Sequence, residues 1–444
     1  MPVYTVSHVD NVRICVVMVG LPARGKSLMS QKIVRYLNWL SISSKSFNVG
    51  SYRRRQKQQP TAEFFDENNE EGLDTRNRAL EMALKDMLTW FNEKNGTVGV
   101  LDASNTTRER RKKILELLRL NKIEPMFLES YCDNNEIIMN NILDVKTTSP
   151  DYQGVNPDFA IKDFLKRITK YEQVYEPLNM STDSDLTFIK LINVNAQIII
   201  NKIQTYLESR IVYFIMNLHI KPRTIWLSRH GESSYNLEGK IGGDSDLSER
   251  GFKYAKNLPE LVSRYIPNNE NLEVWTSTLK RTQQTAQYLD YPKKTWKALD
   301  ELDAGVCDGL TYEEIQKLYP EDFKMRDENK FEYRYRGGES YRDVIIRLEP
   351  IIMNLENQEN ILLITHQAVL RCLYAYFMNV PQEESPWMKI PLHTLIKLDP
   401  RAFDTLVTKI KADIPAVSTY KEKGTTKLGE GDDAKFNIAG DIVT

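Results

Sequence analysis

Two histidines and one lysine stand out by type and by place. His230 follows Arg229 and precedes Gly231 and Glu232, at the end of the apolar run 224–228. His366 ends a second such run, 360–365. An imidazole at the carboxyl end of a buried strand, beside a permanent guanidinium, suits the handling of a phosphate. Arg281 and Arg371 supply further cations, and Glu301 sits in the acidic stretch 299–303. As a set these residues could run a phosphatase reaction. His230 would attack phosphorus and hold the phosphoryl group. The arginines would neutralise its oxygens, and Glu301 would protonate the leaving alkoxide. Lys26 belongs to different chemistry. It stands in Gly20, Leu21, Pro22, Ala23, Arg24, Gly25, Lys26, Ser27, between an apolar run at 13–19 and an amphipathic stretch at 28–40. Strand, glycine loop and helix in that order form a P-loop. Gly20 and Gly25 let backbone N–H groups ring a triphosphate, Lys26 bridges its terminal phosphates, and Ser27 offers a hydroxyl to Mg²⁺.

The elements that must position these groups can be read in turn. Residues 97–101 form a strand that delivers Asp102, an acid placed near Mg²⁺ and a reacting hydroxyl. Basic clusters at Arg53, Arg54 and Arg55 and at Arg108, Arg110 and Arg111 follow strand-like runs and point to an anionic acceptor. A third strand at 126–130 leads to Cys132, and an amphipathic helix at 162–175 carries Arg167 and Tyr171. A strand within 183–193 and a long helix over 196–217 close this half, with the boundary at 218–223 around Pro222. In the second half the loop 241–245, glycine-rich by composition, faces a phosphate or a sugar. Helices are expected over 248–265, from 279, over 339–355 and over 367–378, with a short strand at 274–277. Alternating strands and helices make both halves α/β: a P-loop domain at 1–220, a second domain at 221–418, and a mobile Gly/Lys/Asp-rich tail at 419–444.

Composition narrows the field. The chain has 444 residues, enough for two or three domains, and a formal net charge of -1. No global field draws in nucleic acid or an anionic membrane. No apolar run approaches the ~20 residues that span a bilayer. Four scattered cysteines read as reduced thiols of a cytoplasmic protein.

Taken together, GLPARGKS, FNVGSYRR, DASNTTRERR, RHGE, IGGDS, WTSTLKRTQQTA, DELDAGVCDG, RGGESY and THQAVLRC resemble the bifunctional 6-phosphofructo-2-kinase/fructose-2,6-bisphosphatase family. The resemblance runs from Arg13 to about Ile410. It implies a P-loop kinase domain followed by a histidine-phosphatase domain of the phosphoglycerate mutase type. It implies ATP and Mg²⁺ for the kinase, no cofactor for the phosphatase, and a homodimer formed through the kinase domain. The family's nucleotide site falls on Gly20–Ser27, Asn141 and Lys146, with Asp102, Cys132 and Lys146 in the kinase centre. Its fructose 6-phosphate contacts fall on Arg53, Arg76, Ser104, Arg110, Arg167 and Tyr171. Its phosphohistidine falls on His230, its general acid on Glu301 and its second histidine on His366. Its bisphosphate contacts fall on Arg229, Asn236, Gly242, Arg281, Tyr312, Arg326, Lys330, Tyr341, Gln367 and Arg371. Serine at 27 and 104, where the family commonly has threonine, and an unusual segment at 55–63 suggest a member that leans toward the bisphosphatase.

Overall fold

A computed structural model of the chain describes residues 12–56, 61–148, 150–152, 154–194, 196–218, 223–266, 271–358, 360–400, 405–421, 423 and 441–443. It divides into two compact units, Met1–Ile220 and Lys221–Thr444. Four of the residues 218–223, where the sequence suggests a boundary, lie outside the described residues.

The first unit is built on the strands β1 (Ile14–Val19), β2 (Ser44–Asn48), β3 (Val98–Asp102), β4 (Glu124–Tyr131), β5 (Phe188–Ile192) and β6 (Gln197–Asn201). Their order is β2-β3-β1-β4-β5-β6, parallel except for the β5/β6 pair. Every residue of β1 is buried, as expected of a continuous apolar run inside a parallel sheet. The helices are α1 (Lys26–Trp39), α2 (Val49–Gln56), α3 (Glu70–Glu93), α4 (Arg108–Leu120), α5 (Asn135–Thr148), α6 (Pro157–Glu172) and α7 (Tyr206–Met216). Phe47, Met87, Phe91, Phe127 and Phe188 fill one layer of the core. The chain runs to β2 and β3 on one side of β1 and then to β4 and β5 on the other, so the order reverses at β1 and its carboxyl end is the switch point where α/β sheets bind ligands. The P-loop begins there.

The expected long helix over 196–217 is not formed. Gln197–Asn201 is instead a strand paired antiparallel with β5, and the helix begins only at Tyr206. Three consecutive isoleucines favour the pleated surface. Thr205 and Glu208 then form a reciprocal cap that fixes the helix start.

The second unit holds β7 (Thr224–Arg229), β8 (Glu273–Thr276), β9 (Lys293–Thr295), β10 (Asn360–Thr365), β11 (Thr394–Pro400), β12 (Thr405–Lys411) and β13 (Asp441–Val443), ordered β13-β12-β11-β7-β10-β8-β9. Its helices are α8 (Ser234–Glu238), α9 (Glu249–Tyr265), α10 (Lys280–Ala286), α11 (Tyr312–Leu318), α12 (Pro320–Glu328), α13 (Tyr341–Asn357) and α14 (Gln367–Met378). Trp226, Tyr254, Leu258, Val274 and Leu362 pack in its core. The decisive pairing is β7 with β10, parallel, with Arg229 opposite Thr365.

The tail expected to be mobile from 419 is held at its first residues. Thr419 Oγ1 accepts from Arg229 Nη1 at 2.7 Å, and Lys421 is buried against Asp327. Residues 424–440 lie outside the described residues. Among the described residues no helix is long and apolar enough to cross a membrane, and all four cysteines are unpaired and buried.

Candidate active sites

Strand register brings the two histidines together. Each is the residue after a paired position, so His230 and His366 leave neighbouring strands at the same level. Their ring centroids are 5.2 Å apart, and the backbone N–H of His230 donates to Thr365 O at 2.9 Å. His230 Nδ1 lies 2.7 Å from Gly231 O. A carbonyl only accepts, so the ring proton is on Nδ1 and Nε2 keeps its lone pair. Arg281 Nε donates to His366 Nδ1 at 3.2 Å, which turns the Nε2 proton toward Ser277 Oγ at 2.7 Å. Burial first, then the charges of Arg281 and Arg229, push His230 well below the ordinary histidine value. Burial and Arg281 do the same to His366. Both rings are therefore neutral near pH 7.

One pocket collects most of the second-unit residues singled out in the sequence. Arg229, His230, Asn236, Gly242, Arg281, Glu301, Tyr312, Arg326, Lys330, Tyr341, Gln367 and Arg371 all line it. His366 stands behind the wall and acts on it through Arg281. Gly242 has φ +68°, and a Cβ there would lie 1.7 Å from Asp308 Oδ1, so any larger residue would be strained and would push the Asp308 carboxylate off Gly243 N. The Glu301 carboxyl accepts from the backbone N–H groups of Leu302 (3.0 Å), Gln367 (3.1 Å) and Ala368 (3.1 Å), the last two opening α14. At the far end Arg326 donates to Tyr335 Oη at 2.7 Å and Tyr312 Oη at 3.1 Å. Arg371 donates to Tyr341 Oη at 3.0 Å. Burial, and then Arg326 and Arg371, push the Lys330 amine well below its ordinary value. Arginines crowded in this way could take a ligand with more than one anionic group.

Sequence reasoning missed Tyr335 and Thr419 in this pocket, and Lys421 behind it. Lys421 Nζ donates to both carboxylate oxygens of Asp327, at 2.9 and 2.8 Å, and Asp327 in turn accepts from Arg326. A glycine- and lysine-rich tail gives no signal of this.

In the first unit Gly25 caps α1 at φ +74°, the left-handed turn from which a P-loop enters its helix. Lys26 Nζ folds back onto Leu21 O at 2.5 Å, and burial pushes its pKa down to about 7. Asn141 Nδ2 donates to Ala23 O at 3.0 Å. Asp102 ends β3 and is buried, which pushes its carboxyl up; hydrogen bonds from Ser27 and Asn48 oppose that shift. A hydroxyl and a buried acid side by side fit a magnesium ion carried in with a nucleotide. Cys132 is buried beside the loop, its carbonyl accepting from Arg24 Nε at 3.0 Å. The Lys146 side chain lies outside the described residues.

Four of the six expected acceptor residues, Arg53, Arg76, Arg167 and Tyr171, gather around Asp151 and Phe65, whereas Arg110 and Ser104 meet Asn105 and Gly20. Arg53 donates twice to Asp151, at 2.7 and 2.6 Å, and Arg167 donates to it at 3.1 Å. Arg167 also stacks on Phe65 at 3.8 Å, and the Tyr171 ring lies 5.8 Å from the same phenyl. Arg76 is tied to the backbone oxygens of Phe65, Asp66 and Gly72, and Arg110 donates to Asn105 Oδ1 at 3.2 Å. Ser104 enters through its carbonyl, which accepts from Gly20 N at 2.9 Å. Asp151 is a further residue the sequence did not single out.

A P-loop α/β unit in series with an α/β unit whose paired strands end in two histidines defines a kinase and a histidine phosphatase on one chain. Residues 2–222 match the sequence profile of the 6-phosphofructo-2-kinase family, and residues 225–412 that of the histidine phosphatase superfamily, branch 1. A Saccharomyces cerevisiae protein named fructose-2,6-bisphosphatase is 63% identical, over 96% of this chain and 94% of its own length. Proteins named 6-phosphofructo-2-kinase/fructose-2,6-bisphosphatase from Rattus norvegicus and Aquarana catesbeiana are 50% identical over 92% of this chain, and over 74% and 87% of their own lengths. The chain belongs to the bifunctional 6-phosphofructo-2-kinase/fructose-2,6-bisphosphatase family.

Proposed function

We propose that the chain both makes and degrades fructose 2,6-bisphosphate. In the first unit the 2-hydroxyl of fructose 6-phosphate attacks the terminal phosphorus of ATP, and the bond from that phosphorus to the bridging oxygen breaks to release ADP. Lys26 and the P-loop N–H groups hold the phosphates, and Asp102 receives the hydroxyl proton. Magnesium bound with ATP, next to Ser27, would neutralise charge on the phosphate oxygens. Arg53, Arg76, Arg110 and Arg167 bind the sugar phosphate, with Arg53 and Arg167 exchanging Asp151 for it.

In the second unit His230 Nε2 attacks the 2-phosphate, the bond from phosphorus to O2 breaks, and Glu301 gives its proton to O2. Arg229 and Arg281 stabilise the transferring oxygens, with His366 orienting Arg281. Water then cleaves the phosphohistidine and releases phosphate. Tyr312, Arg326, Lys330, Tyr341 and Arg371 hold the 6-phosphate. The observation that carries this reading is the β7/β10 register, which sets two neutral histidines side by side in a cationic pocket. The test is labelling with bisphosphate carrying ³²P at position 2. An acid-labile, base-stable phosphoenzyme should form and should be lost in His230→Ala. Label that survives the substitution would falsify the nucleophile.

A second reading, a bisphosphatase with a weak kinase, is favoured by Ser27 and Ser104 and by the occupied arginines at Asp151. The name of the yeast relative points the same way. Steady-state rates of both reactions on one preparation separate the two; a kinase rate well above the phosphatase rate removes the second. A cytoplasmic homodimer is part of the proposal. β6 is an edge strand of the first-unit sheet with Ile200 42% exposed, a surface suited to pairing with a second copy. Sedimentation showing a monomer at micromolar concentration would remove the dimer.

A further inference from the structure

The residue that donates a proton in the second unit sits on a loop, and loops are the least rigid support a catalytic group can have. Here the loop is gripped from outside the pocket. Arg347, on α13, points its guanidinium at the backbone around Glu301. Nη1 donates to Ala298 O at 2.5 Å, and Nη2 donates to Asp300 O at 2.8 Å and Glu301 O at 3.2 Å. Glu339 completes the grip. It accepts from Arg347 Nε at 2.8 Å and from Nη2 at 3.1 Å. It also accepts from Asp303 N at 3.1 Å and donates its own N–H to Asp303 O at 2.9 Å. The backbone is therefore fixed at 298 and 300 before the acid, at its own carbonyl, and at 303 beyond it. The carboxyl itself meets the α14 amides of Gln367 and Ala368. Arg347 does not line the pocket, and its side chain is 23% exposed, so it neither touches the ligand nor fills the core.

We infer that Arg347, with Glu339, is a positioning residue for the proton donor Glu301; this rests on the phosphatase reading above. The planar fork is what the task needs. It reaches three carbonyls and a carboxylate at once, which an ammonium cannot do. The effect should be confined to the step that needs a proton. The fructose alkoxide is a poor leaving group and requires the acid, whereas p-nitrophenolate leaves without one.

The experiment compares wild type, Arg347→Gln, Arg347→Lys, Glu301→Gln and the Arg347→Gln/Glu301→Gln double variant on two substrates, fructose 2,6-bisphosphate and p-nitrophenyl phosphate. Arg347→Gln should lower kcat on the bisphosphate about tenfold or more. KM, and the rate on p-nitrophenyl phosphate, should stay within about threefold. Arg347→Lys should be as impaired as Arg347→Gln. In the Glu301→Gln background the second substitution should add nothing. Equal losses on both substrates would mean a merely structural role and overturn the inference. So would additive losses in the double variant, or full rescue by lysine. If Glu301→Gln is impaired and Arg347→Gln is not, only this inference fails. If Glu301→Gln turns over normally, the proton-donor assignment fails and takes the inference with it.

Discussion

His230 shows how far a single residue's surroundings set its chemistry. Burial and two arginines hold the ring neutral, and Gly231 fixes which nitrogen is free. The sign of the shift gives a pH prediction. A lowered value keeps His230, the proposed nucleophile, neutral as pH falls, so the acid limb of phosphatase kcat/KM should lie below the ordinary histidine value of about 6.5. A limb at or above it, in a pH-rate profile on the bisphosphate, would remove the argument. Stability follows the same sign. His230, His366 and His393 are all pushed down by burial and take up protons on unfolding. Urea unfolding followed by phosphatase activity should show stability falling as pH drops below about 6.5. In the first unit Asn48 Nδ2 donates to Asp102 at 2.5 Å while its Oδ1 accepts from Ser51 N at 3.0 Å. Asn48→Asp keeps that cap and sets a second carboxylate against Asp102. Kinase kcat at pH 7 should fall about tenfold and its acid limb should move up, with phosphatase activity unchanged. The histidines were legible in the sequence because each ends a strand beside chemistry-bearing neighbours. Asp151 and Arg347 were not. Their partners lie far off in the chain, and an isolated acid or arginine looks like any surface charge.

At the level of elements, the strands that carry the sites were the easiest to read. The run at 360–365 coincides with β10, because a continuous apolar stretch bounded by polar residues has one buried solution in a parallel sheet. The helix start after β7 is set by the reciprocal cap of Ser233 and Asn236, and that of α13 by Ser340 and Asp343. The failure at 196–217 came from judging apolar spacing without the break at 202–205, where Thr205 starts a new element. Element placement also depends on one polar anchor in the core. Arg223 enters β7 and meets Glu356 of α13 at 2.5 Å, and Tyr376 of α14 donates to the same carboxylate at 2.7 Å. All three are buried. Glu356→Gln leaves a buried guanidinium without its counter-charge, and should destabilise the second unit by about 3 kcal/mol. Loss of phosphatase activity with urea measures this; a midpoint unchanged from wild type would show that the pair contributes nothing net.

Across the whole molecule, each unit carries its own sheet, core and site, so the two activities should be separable by one substitution. Lys26→Ala should lower kinase activity at least about 10²-fold and leave phosphatase activity within about twofold. Loss of both in a protein that still shows native circular dichroism would contradict that separation. The paired strands of the second unit have a further consequence. The 5.2 Å between the His230 and His366 rings is close to the spacing of adjacent strands, about 4.8 Å, and so belongs to peptide geometry more than to any side chain. The backbone acts as a ruler that every protein with this sheet inherits. What remains free to vary is the wall supplied by the segments bearing Asn236, Tyr312, Lys330 and Thr419. Such a scaffold can change the ester it accepts by trading segments while the proposed phosphorus-handling pair stays calibrated, and the two properties can evolve on separate clocks.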